Sequence, residues 1–217
     1  MLKINTDKYK AIIFDMDGTM VDSNPWHKKA LEILCKKYGV KFLDEYFNKH
    51  IVGRKNVEVF PKIFKNKNKF EINKLSIEKE AIFRKVYKRD IKEVLGLTIL
   101  INELKAKSVI MAIATTAPYK NVQFFLKSLK LSKKLFKVIV GEEDVKRGKP
   151  HPEIFLKVAE KLKVNPGKCL VFEDSKSGIK SAKSAGMKVV AIKTNKMPES
   201  IKEADYLVNN FKDIELD

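Results

Sequence analysis

Two aspartates stand directly after a short apolar run near the start of the chain. The run Ala11–Phe14 is followed by Asp15 and Asp17, with Gly18 next. Such a run is typical of a strand buried on both faces of a parallel sheet, and Asp-Gly favours a turn. Open α/β sheets bind ligands at the carboxyl ends of their strands. Two acids at this point could therefore bind a cation and take part in a reaction.

The same stretch, taken alone, also fits an ordinary turn or half of a calcium-binding loop. The calcium loop is excluded because Gly18 comes too early and no glutamate stands at the twelfth position from Asp15. An ordinary turn stays open until the other strand ends are considered.

Polar residues also follow three further apolar runs, which we predict to be strands. These runs are Val109–Ala114, Phe136–Val140 and Lys168–Phe172. In chain order they are followed by Thr115 and Thr116, by a loop that carries Lys149 before Pro150, and by Glu173 and Asp174. In a parallel sheet these ends meet at one edge, so we expect acids, hydroxyls and a lysine in one pocket. Helix capping or surface exposure would explain each residue singly, but four strand ends would then agree by coincidence.

These residue types restrict the chemistry. Three carboxylates around one point suit a hard cation that keeps several waters, and Mg²⁺ is the usual choice. With the metal offsetting negative charge, Asp15 could attack phosphorus and form an aspartyl phosphate. Thr115 and Lys149 could hold the equatorial oxygens, where charge accumulates. Asp17 could protonate the leaving oxygen and later activate water.

Strand-like and helical segments alternate through the second half of the chain. This order predicts an α/β fold with a doubly wound parallel sheet. Residues 23–92 differ, because every recognisable segment there is helical and strongly charged, and Ser23 and Asn24 before Pro25 predict the start of its first helix. We therefore predict an α/β core domain of residues 1–22 and 93–217, with an inserted all-helical domain of residues 23–92.

Composition excludes several classes of protein. A hydrophobic fraction of 44% in 217 residues is enough for a sizeable core. No apolar run approaches the length of a membrane span, and the polar stretch Met1–Lys10 does not resemble a signal peptide. Cys35 and Cys169 are predicted to be small core residues. We expect a cytoplasmic monomer without a membrane partner.

The net charge of +18 raises the possibility of nucleic-acid binding. Only four of the 45 basic residues are arginine, the side chain that forms bidentate contacts with phosphates and bases. The lysines are also spread along the whole chain. We therefore predict a solvated, lysine-rich surface that attracts small anions and binds no specific nucleic acid.

Four motifs together resemble those of the haloacid-dehalogenase-like superfamily. They stand in its order and spacing, and the similarity runs over residues 10–208: Asp15-Met16-Asp17-Gly18-Thr19, Thr115, Lys149-Pro150 and Glu173-Asp174. The predicted insertion resembles the small helical cap of that superfamily. The run Asp22–His27 resembles its β-phosphoglucomutase-like branch, which includes many sugar-phosphate phosphatases. A binding protein that keeps only the fold is the remote alternative, and it would have damaged motifs.

The resemblance implies roles for particular residues. Asp15 is the expected nucleophile and Asp17 the acid and base. The expected Mg²⁺ ligands are the carboxylates of Asp15 and Asp174 and the backbone carbonyl of Asp17, with Glu173 bound to the metal or to its water. Dehalogenases of the superfamily act without a metal and lack an acid at the place of Asp17, so that chemistry is disfavoured.

Substrate residues are expected in Thr116 and in the helical insertion. His27 stands where mutases have a cap histidine that couples cap closure to proton transfer, and many phosphatases also carry it. Residues 52–56 resemble the substrate loop of the cap, which adds Gly53, Arg54, Lys55 and Asn56. Because Asn56 stands where mutases have an arginine, we predict a phosphatase for a small phosphorylated metabolite, such as a sugar phosphate. A β-phosphoglucomutase that interconverts β-glucose 1-phosphate and glucose 6-phosphate stays open as the alternative.

Overall fold

The computed structural model describes residues 1–194 and 202–217. Within these residues the chain forms eight strands and eight α-helices. In chain order they are β1 (Leu2–Ile4), β2 (Ala11–Phe14), α1 (Asn24–Lys37), α2 (Asp44–His50), α3 (Asn56–Ile63), α4 (Lys69–Tyr87), α5 (Leu97–Ala106), β3 (Ile110–Ala114), α6 (Tyr119–Ser128), β4 (Val138–Val140), α7 (Glu153–Leu162), β5 (Cys169–Glu173), α8 (Lys176–Ser184), β6 (Lys188–Ile192), β7 (Tyr206–Val208) and β8 (Ile214–Leu216).

Six of these strands form one parallel sheet in the order β4-β3-β2-β5-β6-β7. The chain builds outwards from β2 through β3 to β4, and then returns to place β5 on the other side of β2. The order of the strands thus reverses next to β2, and ligands bind at such reversal points in open α/β sheets. The predicted fold class, a doubly wound α/β sheet with an inserted helical segment, is confirmed.

The alternation of side chains along β2 explains why helices cover both faces of the sheet. Ile12 and Phe14 belong to an apolar cluster with α5 and α6, whereas Ala11 and Ile13 belong to a second cluster with α7 and α8. All four side chains are buried. Burial on both faces is the reason why this strand is continuously apolar rather than alternating.

Helices α1 to α4 form the helical segment, residues 24–87, between β2 and β3. They share an apolar cluster of their own, to which each helix contributes, for example Leu31, Phe47, Phe60 and Leu75. An antiparallel bridge between Val21 and Glu93 joins the two chain crossings that lead into and out of the segment. The exact boundaries at residues 23 and 92 remain a prediction.

Some elements differ from the expectation. β1 and β8 pair in parallel in a separate two-stranded sheet, which three-residue strands are too short to reveal by periodicity. The strand predicted over Phe136–Val140 begins only at Val138. Cys35 and Cys169 are buried free thiols, as predicted. Among the described residues, no helix has both the length and the apolar character needed to cross a bilayer.

Candidate active site

Asp15 and Lys149 form the buried centre of the sheet edge. Asp15 directly follows β2, and Lys149 comes from the loop between β4 and α7. The Lys149 Nζ donates to Asp15 Oδ1 at 2.5 Å and lies 3.7 Å from Glu173 Oε2. Burial by itself would lower the pKa of Lys149, but the Asp15 and Glu173 carboxylates raise it, so the lysine stays charged.

Three buried carboxyl groups, those of Asp15, Glu173 and Asp174, offer oxygen atoms within 4.8 Å of one another. Burial raises the pKa of Asp15 despite the opposing charge of Lys149. Burial also raises the pKa of Glu173 to about 8, and it raises that of Asp174 well above its ordinary value with further repulsion from Glu173. Desolvation and mutual repulsion both oppose ionisation of this cluster.

These carboxyl groups fit Mg²⁺, which prefers oxygen ligands, and a dication would offset the repulsion that raises their pKa values. Two glycines allow the close packing of the cluster. A Cβ atom on Gly18, which has φ of +85°, would lie 2.1 Å from Asp174 Oδ2. A Cβ atom on Gly178 would lie 1.4 Å from Glu173 Oε2. The Asp17 carboxylate is not part of this cluster, which agrees with a role outside the carboxylate shell.

The Asp17 carboxylate instead turns towards the helical segment. Its Oδ1 accepts a hydrogen bond from Ser23 Oγ at 2.7 Å and lies 2.9 Å from His27 Nε2. The His27 ring stacks on Phe83, with the ring centroids 3.6 Å apart. One oxygen of the Asp17 carboxylate is thus held by two side chains, those of Ser23 and His27.

The start of α1 corrects one detail of the sequence analysis. Ser23 and Asn24 precede Pro25 as helix-start residues do, yet the Ser23 side chain makes no capping hydrogen bond. Its hydroxyl is used by Asp17, and Asn24 Nδ2 donates to Asp174 Oδ2 at 2.8 Å. Both polar side chains at this helix start therefore donate hydrogen bonds to aspartates of the site instead of capping the helix. Asn24 was therefore missed as a site residue.

Thr115 and Thr116 follow β3 at the same edge. Thr115 is buried, and its Oγ1 accepts a hydrogen bond from the backbone N–H of Ala117 at 3.1 Å. Thr116 Oγ1 donates to the carbonyl of Gly53 at 3.3 Å, which links the sheet edge to the helical segment.

A cavity of about 50 Å³ lies between the sheet edge and the helical segment. This volume has room for a few water molecules. It is lined by eight of the predicted site residues and by further residues, among them Lys79 and Glu80; the eight are Asp15, Asp17, His27, Gly53, Arg54, Asn56, Thr115 and Thr116.

Lys55 is placed differently from the other predicted substrate residues. It is buried and does not line that cavity. Its Nζ donates to the backbone carbonyls of Glu142 and Val145, at 3.0 Å each. The lysine therefore fastens the helical segment to the loop that leads to Lys149, and this arrangement gives its predicted contact with substrate no support.

Lys79 and Glu80 of α4 are cavity residues that sequence reasoning missed. Both are buried, with their charged groups 2.8 Å apart. Asn56 Nδ2 donates to Glu80 Oε1 at 2.7 Å. A lysine and a glutamate on a charged helix resemble a solvated surface, so the sequence contained no signal that would have singled them out.

Comparison with known proteins decides the family. The sequence pattern of the family described as haloacid dehalogenase-like hydrolase matches residues 12–192. The chain is a haloacid dehalogenase-like hydrolase. The resemblance seen in the four motifs is thereby confirmed.

Three similar proteins narrow the position of this hydrolase within the family. A phosphorylated carbohydrates phosphatase of Thermotoga maritima is 35% identical over 181 residues, which cover 82% of each chain. The fructose-1-phosphate phosphatase YqaB of Escherichia coli is 30% identical over 188 residues, which cover 86% of this chain and 98% of the relative. The crystal structure of a β-phosphoglucomutase from Clostridium difficile matches with a TM-score of 0.83 and 28% identity, over 95% of this chain and 93% of that one. The predictions of a phosphatase and of the β-phosphoglucomutase-like branch are confirmed.

Proposed function

We propose that this hydrolase is a Mg²⁺-dependent phosphatase of small sugar phosphates that works through an aspartyl phosphate on Asp15. The observation that carries the proposal is the sheet edge itself. The buried Asp15 carboxylate has the Lys149 ammonium at 2.5 Å. Asp15 also belongs to a cluster of three carboxyl groups of the kind that binds a metal ion. A second, less buried carboxylate, Asp17, faces the cavity. Nucleophile, charge compensation and general acid are thus within one small volume.

In the first step, the Asp15 carboxylate attacks phosphorus and the bond from phosphorus to the sugar oxygen breaks. Lys149 and the Thr115 hydroxyl offset the charge on the phosphoryl oxygens. Asp17 gives its proton to the leaving sugar oxygen, and in the second step takes a proton from the water that attacks the aspartyl phosphate. When bound by Asp15, Asp174 and the Asp17 carbonyl, with Glu173 nearby, Mg²⁺ supplies positive charge that lowers repulsion between phosphate and carboxylates.

We propose that residues 23–92 act as a cap that opens to admit substrate. The cavity of about 50 Å³ between the sheet edge and the helical segment is narrow, so the helical segment moves away from the sheet edge when a sugar phosphate enters. Movement about the paired crossings at Val21 and Glu93 would leave the sheet undisturbed.

The groups on the cap side favour a phosphatase over a mutase. Glu80 and Asn56 line the cavity, and they bind hydroxyl groups better than a second phosphate. Burial by itself would raise the pKa of Glu80, but Lys79 lowers it to about 2, so the carboxylate is ionised. The Arg54 side chain lines the cavity without a hydrogen bond or ion pair to any described residue, and is a cation that supports the mutase alternative.

One experiment separates the two activities. The protein is incubated with Mg²⁺, β-glucose 1-phosphate and a trace of the glucose bisphosphate, and both inorganic phosphate and glucose 6-phosphate are followed. We expect steady release of phosphate, which stops when EDTA removes the metal, and slower formation of glucose 6-phosphate. Glucose 6-phosphate appearing much faster than phosphate would identify a mutase instead. A panel of other sugar phosphates and nucleotides then ranks substrates, while the cytoplasmic location and monomeric state remain predictions.

A further inference from the structure

Asn121 is a fully buried amide on α6, outside the predicted catalytic motifs. Its side chain is held from both sides by α4 of the helical segment. Arg84 Nη1 donates to Asn121 Oδ1 at 2.6 Å, and Asn121 Nδ2 donates to Glu80 Oε2 at 2.6 Å. Residues 80 and 84 are one helical turn apart, so two neighbouring side chains bind one amide of the sheet domain, the α/β part of the chain outside the helical segment.

Glu80 connects Asn121 to the active site through further polar contacts. Its Oε1 accepts a hydrogen bond from Lys79 Nζ at 2.8 Å. Lys79 Nζ lies 2.6 Å from His27 Nδ1, and His27 Nε2 lies 2.9 Å from Asp17 Oδ1. A continuous row of polar contacts therefore leaves the sheet domain at Asn121, crosses the helical segment and returns to the sheet domain at Asp17.

The chemistry of these groups fixes the direction of the hydrogen bonds. A lysine ammonium has three donors and no acceptor, so His27 Nδ1 must accept. With Nδ1 as the acceptor, the ring hydrogen is on Nε2, which donates to Asp17 Oδ1. Since Glu80 is ionised and accepts from Lys79, the glutamate holds the ammonium that selects this tautomer.

The row is complete only when α4 rests on α6. If the helical segment moved away from the sheet edge, the contact between Glu80 and Asn121 would be lost, because it joins two different parts of the molecule. Among the described residues, Glu80 would then be held beside Lys79 and His27 by residues of the segment alone, such as Asn56.

We propose that Asn121 is a positioning residue that, by docking Glu80 and Arg84, places Lys79 and His27 so that Asp17 can act as the general acid. The inference rests on the proposed phosphatase function. It predicts that docking matters most when the leaving group needs a proton. A sugar oxygen needs one, whereas the nitrophenolate of p-nitrophenyl phosphate leaves without it.

The test compares Asn121→Leu with the wild-type protein on both kinds of substrate, with Mg²⁺ present. We expect kcat/KM for the best sugar phosphate, which reports the first step and not the later attack of water, to fall roughly 10- to 100-fold, a part of the 10²- to 10⁴-fold effect of general acid catalysis. We expect kcat/KM for p-nitrophenyl phosphate to fall less than about threefold. The matched control is Gln123→Leu, an exposed position on the same helix, for which both values should stay unchanged.

Arg84→Met provides a second variant. It keeps Asn121 and removes the hydrogen bond that Arg84 donates to it. It should lower kcat/KM for the sugar phosphate in the same direction and by a smaller factor. An equal fall on both substrates, or no fall in either variant at unchanged melting temperature, would overturn the inference. If wild-type protein hydrolyses p-nitrophenyl phosphate and no sugar phosphate, the proposed function fails instead, and the two failures are distinguishable.

Discussion

The ammonium group of Lys149 lies 2.5 Å from one oxygen of Asp15 and is completely buried. A buried lysine is costly unless carboxylates surround it, and here both Asp15 and Glu173 raise its pKa. The lysine is thus charged before substrate arrives. Lys149 reaches Asp15 from a loop that also touches the helical segment, because Glu58 Oε1 accepts a hydrogen bond from the backbone N–H of Gly148 at 2.6 Å.

Replacing the nucleophile should stop the reaction and keep the fold. Asp15→Asn removes the attacking carboxylate but preserves its shape, and Lys149 retains Glu173 as a neighbour at 3.7 Å. We expect hydrolysis of sugar phosphates and of p-nitrophenyl phosphate to fall below detection, with a circular dichroism spectrum like that of wild type. Normal hydrolysis of the aryl phosphate by this variant would show that Asp15 is not the nucleophile.

The neighbours Arg54 and Lys55 should respond differently to the same substitution. Lys55→Met leaves two backbone carbonyls without their donor and should lower the free energy of unfolding by about 1–3 kcal/mol. Arg54→Met breaks no hydrogen bond with a described residue, so stability should change by less than about 0.5 kcal/mol. We expect Arg54→Met instead to raise KM for sugar phosphates. Chemical denaturation and steady-state kinetics on both variants test this. Unchanged stability of Lys55→Met would contradict the structural role of Lys55 and favour its predicted contact with substrate.

Glu142 should make stability depend on pH near neutrality. Burial raises the pKa of Glu142 to about 7, from 4.5. The folded state therefore binds more protons than the unfolded state between these values, and the stability gained at low pH is lost as pH rises through 7. In saturating Mg²⁺ the unfolding free energy of wild type should fall by about 1–3 kcal/mol between pH 5 and 8.5, relative to Glu142→Gln. Parallel curves for the two proteins would contradict this.

The lysine-rich surface should behave as a general polycation towards DNA. With 41 of its 45 basic residues as lysine, the chain should bind duplex DNA weakly and without sequence preference. Fluorescence anisotropy at increasing salt should show binding that is lost well before about 0.2 M. Retention of one preferred sequence above that concentration would show a specific nucleic-acid site.

The sheet edge could be predicted from the sequence because each of its residues follows an apolar run. Asp15, Thr115 and Glu173 are placed by the ends of buried strands, and parallel strands bring their ends together whatever the details of packing. The fold class follows from the same alternation of strands and helices.

The cap side could not be predicted to the same depth. Which charged residues of α4 point inwards depends on how that helix packs on α1 and α6, and the helix carries charges on several faces. Lys79 and Glu80 are buried, while Glu78 on the same helix is paired at the surface with Lys37. Asn24 and Lys55 were assigned by local pattern, and long-range hydrogen bonds determine their actual roles.

The paired crossings at Val21 and Glu93 have an evolutionary consequence. A segment that leaves and re-enters a domain at two adjacent residues can change length or be exchanged for another without moving a strand of the sheet. Under the proposed function, the groups at the sheet edge that cleave phosphate and the groups of the segment that contact the rest of the substrate can therefore diverge separately. In this chain the exchange is limited by Phe83 and Tyr87, which pack into the apolar cluster of the sheet domain. A chimaera that keeps both aromatic rings and the row of His27, Lys79, Glu80 and Arg84, and replaces the remainder of the segment with that of a relative, should inherit the relative's choice of substrate.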